Sequence, residues 1–337
     1  MVVPGSIPNI MRSFANFISL FCSMFTISRK AKQFLTAIIK LLIVSGAFYF
    51  IWNRIANSEQ LDWNKLGEIL TNPKSFWIIA VILALTILNR FIEIIKWQNL
   101  VSSFKHITIG QSAAQVLSAM TAAIFTPNGI GEYAAKALYY SKEQAKNIVF
   151  LNLVCNGIQL IIAVVAGLMG LVAFNSVYRI IPGSILLLAL SIIAIVLILI
   201  FTARNITIRD YSLQRIINKV NTLSKSIHRK NMLLAFCRYF CLLHQHYFLF
   251  LLFGINLPYP EMMAAIAAVY FLGSSLPSFQ MLDFAVRGSV ALLFFGLLDV
   301  SEWIVVFAAT LQWLLNIVIP VTIGSFYVFK FKAVKEA

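Results

Sequence analysis

The chain has 337 residues, of which 60% are hydrophobic and 12% charged, and its mean hydropathy is +0.86. Soluble domains average about 45–50% apolar and 25% charged residues, so this composition excludes a soluble globular fold. Lys and Arg outnumber Asp and Glu by 27 to 12. In a membrane protein this excess favours cytoplasmic loops and contact with anionic lipid rather than with nucleic acid. The four cysteines lie in or beside apolar stretches, so we expect no disulfide framework.

Residues 1–32 are typical of a cytoplasmic tail. Their apolar run at 14–27 follows a single Arg12 and has no small-residue cleavage site, which makes it a poor signal peptide. Met24 would give a more ordinary start, because a cluster of cations would then stand directly before the first long apolar run. The start at Met1 could therefore be too early.

Apolar runs of about 20 residues, the length that crosses a bilayer, recur along residues 33–330 and predict a single transmembrane domain. The six predicted full spans are 34–52, 75–95, 147–174, 184–203, 232–255 and 303–329. The loop at 54–74 has no net charge and should lie outside, whereas 204–238 carries eight cations against Asp210 and should lie inside. Both termini, including the tail at 331–337, are then cytoplasmic.

The basic segment at 204–231 also carries apolar residues at helical spacing, namely Leu213, Ile216, Ile217, Val220, Leu223 and Ile227. This pattern predicts an amphipathic helix that lies on the inner leaflet. A solvated basic loop is the alternative.

Two further apolar stretches are interrupted by Pro and Gly. The stretch at 113–125 is too short to cross a membrane at 1.5 Å per residue, and it stops at the sequence Thr-Pro-Asn-Gly-Ile-Gly, residues 126–131. The stretch at 262–298 breaks at Gly-Ser-Ser-Leu-Pro, residues 273–277. The flanks predict a broken hairpin that enters from the cytoplasm and a second that enters from outside. Each could be re-entrant or a complete pair of crossings.

The returning arms of the two hairpins share a pattern of acid, aromatic residue, Ala, any residue and base. Glu132 and Lys136 carry it in the first arm, and Asp283 and Arg287 carry it in the second. An acid and a base four apart share one helix face and can pair, with the acid near the positive end of the helix dipole. A charged side chain at membrane depth must be paired with an opposite charge or take part in function, because an unpaired charge there costs several kcal/mol. In transporters, substrate sites lie between broken hairpins that enter from opposite sides, so these ion pairs could belong to such a site. The alternative is that the pairs only hold two buried helix ends in place.

Further polar residues lie within the predicted spans. Glu93, Asn89, Arg90 and Lys96 form a polar cluster at helical spacing near the inner interface. The cluster could close the cavity of the first hairpin, and snorkelling of the cations to the interface explains it equally well. Two amide sets lie on helix faces, where they join helices or contact substrate: Asn152, Asn156 and Gln159 in one span, and Gln312 and Asn316 in the last.

The sequence offers little support for metal binding or enzymatic chemistry. Cys237, Cys241 and His244 share one helix face, but a single helix supplies too few ligands for a metal site. The chain contains no phosphate-binding loop, nucleophile motif or metalloprotease signature. We therefore expect no metal, no cofactor, no enzymatic activity and no ATP-driven pump.

The motif Thr-Pro-Asn-Gly-Ile-Gly-Glu-Tyr at 126–133, together with Pro277 and the Arg-Gly pair at 287–288, resembles the lysylphosphatidylglycerol synthase transmembrane region family. That family includes the flippase-like half of the bacterial enzymes that lysinylate phosphatidylglycerol. The resemblance covers roughly residues 30–330, and the first motif is its specific part. The family commonly reads Thr-Pro-Gly-x-Ile-Gly-Glu, and Asn128 here replaces the first Gly, which Asn can do because it tolerates a left-handed backbone. The second copy departs further, with Phe-Gln-Met at 279–281.

The resemblance implies a bacterial inner-membrane domain that handles lipid head groups, without the aminoacyl transfer that a separate soluble domain performs in the bifunctional enzymes. We predict an all-α polytopic membrane protein, with six full spans and the two oppositely inserted broken hairpins forming an inverted repeat. It would bind an anionic phospholipid or lipid-linked substrate or move it between leaflets. The predicted substrate-binding residues are Pro127, Asn128, Gly129, Gly131, Glu132, Lys136, Pro277, Asp283, Arg287 and Glu93. The first pair would engage or gate the substrate from the cytoplasmic side and the second from the outer side.

Two other function classes remain open from the sequence. One is a membrane subunit that binds a lipid or a glycosyltransferase without transport. The other is a membrane-embedded transferase, for which only Glu132, Asp283 and Glu93 could activate an acceptor. The sequence does not identify the lipid, the energy source or the oligomeric state, although a homo-oligomer is compatible with it.

Overall fold

A computed structural model describes residues 75–124, 126–205, 212–276 and 279–331, together with Gly67 and Asn72. All of these residues belong to one compact unit, Ala47–Ala337. The predicted span at 34–52 and the tail at 1–32 lie outside the described residues, as do Pro277 and residues 332–337.

The described part of the chain contains ten α-helices, and apart from one isolated bridge it contains no β-structure. The helices are α1 Ser75–Val101, α2 Ile109–Ala123, α3 Gly131–Ala137, α4 Lys142–Tyr178, α5 Gly183–Thr202, α6 Leu213–Asn221, α7 Lys225–Leu252, α8 Tyr259–Ser275, α9 Asp283–Gly296 and α10 Glu302–Lys330. The all-α class predicted from the sequence is confirmed.

Three of the described helices, α1, α4 and α10, are long and apolar enough to cross a membrane, with 27, 37 and 29 residues. Each contains one of the predicted spans. Helix α5 covers the predicted span at 184–203 almost residue for residue. Helix α7 differs, because it begins at Lys225 and not near Met232. Its first two turns are polar and cationic, so a hydropathy pattern does not show them, and the Ser224 side chain caps them by accepting from the Ile227 amide.

The largest hydrophobic core surrounds α8. This helix is buried on almost every side, and its small residues Ala265, Ala267 and Ala268 allow neighbouring backbones to approach. The approach is closest against α4, where a Cβ added at Gly170 would stand 2.8 Å from the Ala264 carbonyl oxygen. Small residues at such crossings are how helices pack in membranes, where no hydrophobic force distinguishes protein from lipid.

Helix α2 is anchored in a similar way to α10. A Cβ added at Gly324 would stand 2.2 Å from the Leu117 carbonyl oxygen. The Thr121 hydroxyl donates to the Val321 carbonyl at 3.0 Å across the same contact. Helix α10 also contains a π-helical turn at Leu314–Val318, shortly before this crossing.

The basic segment forms α6 and the start of α7 rather than one continuous helix. The apolar side chains Ile216, Val220, Leu223 and Ile227 pack against a core cluster built mainly from α1 and α4. Four of the six apolar residues of the predicted pattern therefore contact protein, and the position of the segment on the inner leaflet stays a prediction. Residues 206–211 of the segment lie outside the described chain.

The two interrupted segments, α2–α3 and α8–α9, meet at the points where they break. Pro127 and Phe279 form an isolated antiparallel bridge. Beside it the Gln280 side chain occupies the space over Gly129, where an added Cβ would stand 2.4 Å from Gln280 Nε2. The breaks in the two segments are thus in direct contact, although they are about 150 residues apart in sequence.

Candidate functional site

The motif at 126–131 forms the turn between α2 and α3. Thr126 Oγ1 accepts from the Gly131 amide at 2.9 Å and donates to the Ala123 carbonyl at 2.7 Å, so one side chain joins both arms. Asn128 and Gly129 have φ angles of 48° and 67°. The left-handed backbone expected of Asn128 is therefore present, and both residues adopt the positive φ angles that this turn requires.

Helix α3 presents the first predicted ion pair. Lys136 is completely buried, and its ammonium group donates to Glu132 Oε1 and, at 2.8 Å, to Asn152 Oδ1 of α4. The same ammonium lies 4.2 Å from the centre of the Trp97 ring. Lys136 thus has a carboxylate, an amide and an aromatic face around it, which is a complete set of partners for a buried cation.

The polar cluster of α1 faces α4 and α7. Glu93 pairs with Arg238 of α7, with Oε2 and Nε 2.5 Å apart. Lys96, which is completely buried, donates to Gln159 of α4 at 3.3 Å. These contacts hold three helices together through charged groups that are removed from solvent.

The second predicted pair is also formed, since Arg287 Nε lies 2.8 Å from Asp283 Oδ1. The Arg287 guanidinium stands 4.7 Å from the centre of the Tyr270 ring of α8. Gly273 of α8 makes room for this arginine, because a Cβ added there would lie 2.9 Å from Arg287 Cγ. Unlike Lys136, both side chains of this pair keep some exposure, about a quarter for Arg287 and a fifth for Asp283.

A network of side-chain amides joins α1, α7 and α10 next to this pair. Asn89 donates to Asn316 at 2.6 Å, and Asn316 donates to Gln245 at 2.8 Å. Gln312 donates to the Tyr270 hydroxyl at 2.8 Å and to Gln245 at 3.2 Å. The two amides predicted on α10 therefore join helices, which is one of the two roles that their spacing indicated.

A cavity of about 200 Å³ lies between these groups. Three guanidinium groups line it, from Arg90, Arg238 and Arg287, and Asp283 contributes the carboxylate. His246, Tyr270, Gln280, Gln312 and Asn316 are among its uncharged polar residues. Gln280 brings the break of the second interrupted segment to the cavity wall.

Only two of the predicted site residues line this cavity, Asp283 and Arg287. The lining does not include Glu93 or the predicted residues of the first interrupted segment, which are Pro127, Asn128, Gly129, Gly131, Glu132 and Lys136. Pro277 lies outside the described residues. Whether any of these residues contacts substrate stays a prediction.

The other cavity residues are harder to recognise from the sequence. Arg90 was assigned to the inner interface, and Arg238 was counted with the basic loop. An arginine inside an otherwise apolar helix is the signal that could have marked Arg90, since such residues normally face the bundle interior. His246 and Gln280 carry no comparable signal.

On the cysteine and histidine face of α7, His244 is held by hydrogen bonds and the cysteines Cys237 and Cys241 are free thiols. His244 interacts through one ring nitrogen with the Phe240 carbonyl and through the other with the Tyr259 hydroxyl. Across the described ranges, no group of three His, Cys, Asp or Glu side chains is placed to hold a metal ion.

Comparison with known proteins supports the membrane assignment. No curated protein matches the chain. The family profile described as "Lysylphosphatidylglycerol synthase TM region" matches residues 37–282, which is well over half of the chain. The match includes the first interrupted segment and ends directly before α9, and it concerns a membrane region without a catalytic synthase domain. This multi-pass membrane protein belongs to the lysylphosphatidylglycerol synthase transmembrane region family.

Proposed function

We propose that the protein is a flippase-like translocator, which holds the head group of a phospholipid or lipid-linked substrate in the 200 Å³ cavity and moves it between leaflets. The observation that carries this function is the set of three guanidinium groups around a small cavity, whose wall includes Gln280 beside the contact between the two interrupted segments. No aminoacyl transfer is included, because the matched family region is the membrane part alone.

The cost of the charges supports a role in binding. An ionisable residue within a membrane-spanning helix is expensive, and such residues usually mark substrate paths. The cavity wall holds Arg90, Arg238, Arg287 and Asp283, and the first two lie within spans that the sequence predicts at 75–95 and 232–255. Packing alone would be served by apolar side chains of similar size. A head group that carries phosphate would use these cations.

The predicted topology also supports movement between leaflets. The sequence predicts that the two interrupted segments enter from opposite sides, and broken helices in this arrangement frame midplane sites in transporters. Pro127 and Phe279 are in contact, and in our proposal this contact would close the path between the two sides. Asp283 and Arg287 engage the head group, whereas Glu132 and Lys136 act as a gate by fixing the returning arm of the first segment.

The cationic surface would gather substrate. Lys225, Arg229 and Lys230 are exposed at the start of α7, on the side that the charge pattern places in the cytoplasm. Each such cation contributes about 1 kcal/mol of attraction near an anionic leaflet. The surface would therefore concentrate anionic lipid at the inner entrance.

The test is a leaflet-exchange assay on purified protein in liposomes, with labelled phosphatidylglycerol, phosphatidylethanolamine and an aminoacylated lipid. The wild-type protein should exchange at least one of them, and Arg287→Gln should slow the exchange at least tenfold. The matched control is Arg179→Gln, which removes an exposed guanidinium outside the cavity and outside this cationic surface and should exchange at the wild-type rate.

No exchange by folded protein with any lipid would overturn the translocator assignment. A partner protein that co-purifies would then favour the non-transporting subunit. Equal rates for Arg287→Gln and wild type would leave a translocator whose head-group site lies elsewhere.

A further inference from the structure

His246 of α7 is buried at the cavity wall without a hydrogen-bond partner. It is 2% exposed, and neither ring nitrogen has a partner among the described residues. Stacking on Phe250, with ring centroids 5.3 Å apart, and an edge contact with Tyr270 at 5.9 Å hold the ring in place. Buried polar atoms are paired in the great majority of cases, so this imidazole is available to a group that enters the cavity.

The ionisable groups that share the cavity wall with His246 are mainly cationic. Among the described residues, α10 contributes only uncharged side chains to this wall, and α4 contributes none. The ionisable groups are, in chain order, Arg90 of α1, Arg238 of α7, Tyr270 of α8, and Asp283 and Arg287 of α9.

The carboxylates near the three guanidinium groups do not reverse the balance of charge. Two of the guanidinium groups are paired, one with Asp283 and one with Glu93. Glu93 and Glu132 also act electrostatically on Arg90. Glu132 is itself paired with Lys136, so this pair adds no net negative charge. A proton on the buried imidazole would add a further positive charge, which desolvation and the neighbouring cations both oppose. The ring is therefore neutral before a substrate enters.

An anionic head group in the cavity would favour the protonated ring. A phosphodiester carries one negative charge, and a charge-assisted hydrogen bond from the ring to a phosphate oxygen stabilises the imidazolium. In ordinary surroundings histidine changes its charge near neutral pH, so a modest electrostatic change is enough to convert it. The partly exposed Asp283 and Arg287 show that protein does not close the cavity wall on their side.

Resting on the proposed function for its role in transport, we propose that His246 takes up one proton when an anionic head group enters the cavity and gives it up when the head group leaves. The proton comes from water on the side of entry, adds to an imidazole nitrogen and returns to water on the side of exit. The protein then moves a phosphodiester and a proton together as an electroneutral pair. A pH difference across the membrane would therefore drive the lipid towards the alkaline side, which gives the translocator an energy source.

The test is leaflet exchange of labelled phosphatidylglycerol by the purified protein in liposomes, with buffers one pH unit apart on the two sides of the membrane. Potassium and valinomycin hold the membrane potential at zero, and protein-free liposomes give the background. Movement of one proton with each lipid predicts about a tenfold excess of label in the leaflet on the alkaline side at steady state.

His246→Phe keeps the ring stacking and removes both nitrogens. This variant should exchange the lipid more slowly and label the two leaflets equally despite the pH difference. An imposed membrane potential should shift its distribution, because it moves an anion without a proton, but should leave the wild-type distribution unchanged. His246→Gln, which also cannot carry the proton, serves as the second variant should the first fail to fold. The matched control His244→Phe, two residues away and outside the cavity lining, should accumulate label like wild type.

Wild-type exchange that does not respond to the pH difference would overturn the inference and leave the translocator in place. Accumulation by the two His246 variants as large as that of wild type would do the same. A protein that exchanges no lipid would overturn the translocator. Calorimetry of short-chain phosphatidylglycerol binding in detergent, in two buffers of different ionisation enthalpy, then tests the proton site alone. Proton uptake that is lost in His246→Phe would support this site, and binding without uptake, or no binding, would overturn it.

Discussion

The two interrupted segments carry the same acid and base pair at the same spacing, yet they place it in different surroundings. Lys136 of the first pair is completely buried, with Asn152 and Trp97 closing around it. Asp283 and Arg287 of the second pair are partly exposed at the cavity wall. The same local motif is therefore enclosed by protein in the first segment and lines a cavity in the second. Sequence similarity between two halves does not imply that both halves touch the substrate.

The largest expected effect comes from breaking the buried pair. Glu132→Gln leaves Lys136 without a carboxylate and should destabilise the protein by about 3–5 kcal/mol, measured as thermal unfolding in detergent. The double variant Glu132→Gln with Lys136→Met removes the stranded charge and should recover much of that stability. The control Glu143→Gln removes an exposed acid in the first turn of α4 and should unfold like wild type. A Glu132→Gln protein as stable as this control would show that the pair does not hold the turn.

The next effect concerns the anchor of the first segment on α10. Gly324→Ala would press a methyl group against the Leu117 carbonyl, where the available distance is 2.2 Å. Overpacking of this kind costs about 1–3 kcal/mol, again read from the unfolding temperature. Gly157→Ala is the matched change, because the added methyl at that helical position meets open space. It should be neutral or slightly stabilising, and a loss equal to that of Gly324→Ala would argue against the steric explanation.

A smaller effect is expected where the two segments touch. Gly129→Ala places a Cβ on a residue with φ of 67°, at a cost of about 1–2 kcal/mol, and also pushes into Gln280. The double variant Gly129→Ala with Gln280→Ala removes the clash with the Gln280 side chain and keeps the strain of the left-handed backbone. Unfolding temperatures of the single and double variants separate the two contributions. Equal stability of both would mean that the Gln280 contact adds nothing.

The smallest change in stability should come from the cavity pair. Asp283→Asn breaks a partly exposed ion pair and should cost no more than about 1 kcal/mol. Lipid exchange should nevertheless fall severalfold, since the position of Arg287 in the cavity is then less defined. Unfolding and exchange measured on the same preparation compare the two segments directly. A loss of stability as large as that of Glu132→Gln would remove the distinction between them.

Local features of the sequence predicted a large part of the fold. Long apolar runs placed α4 and α10 within a few residues, and the spacing of four predicted both ion pairs. The polar start of α7 was missed because its helical turns before Asn231 bury little apolar surface.

The cavity could not be predicted, because it depends on contacts between distant parts of the chain. Asn89 and Asn316 are 227 residues apart, and no local rule brings them within hydrogen-bonding distance. For the same reason the sequence pattern places Arg90 at an interface and Arg238 in a basic loop, although both line the cavity. His246 is recognisable only in the structure, where neither ring nitrogen has a hydrogen-bond partner among the described residues.

The π-helical turn in α10 determines where this helix can lose a residue. Leu314–Val318 holds one residue more than a regular α-helical turn would, and Asn316, whose carbonyl accepts from Arg90, lies within it. Because the wider π turn absorbs the extra residue, deleting one residue here would restore a regular helix and leave Gly324 facing α2. The same deletion after Val318 would turn Gly324 away from α2 by about 100°, and the first segment would lose its anchor.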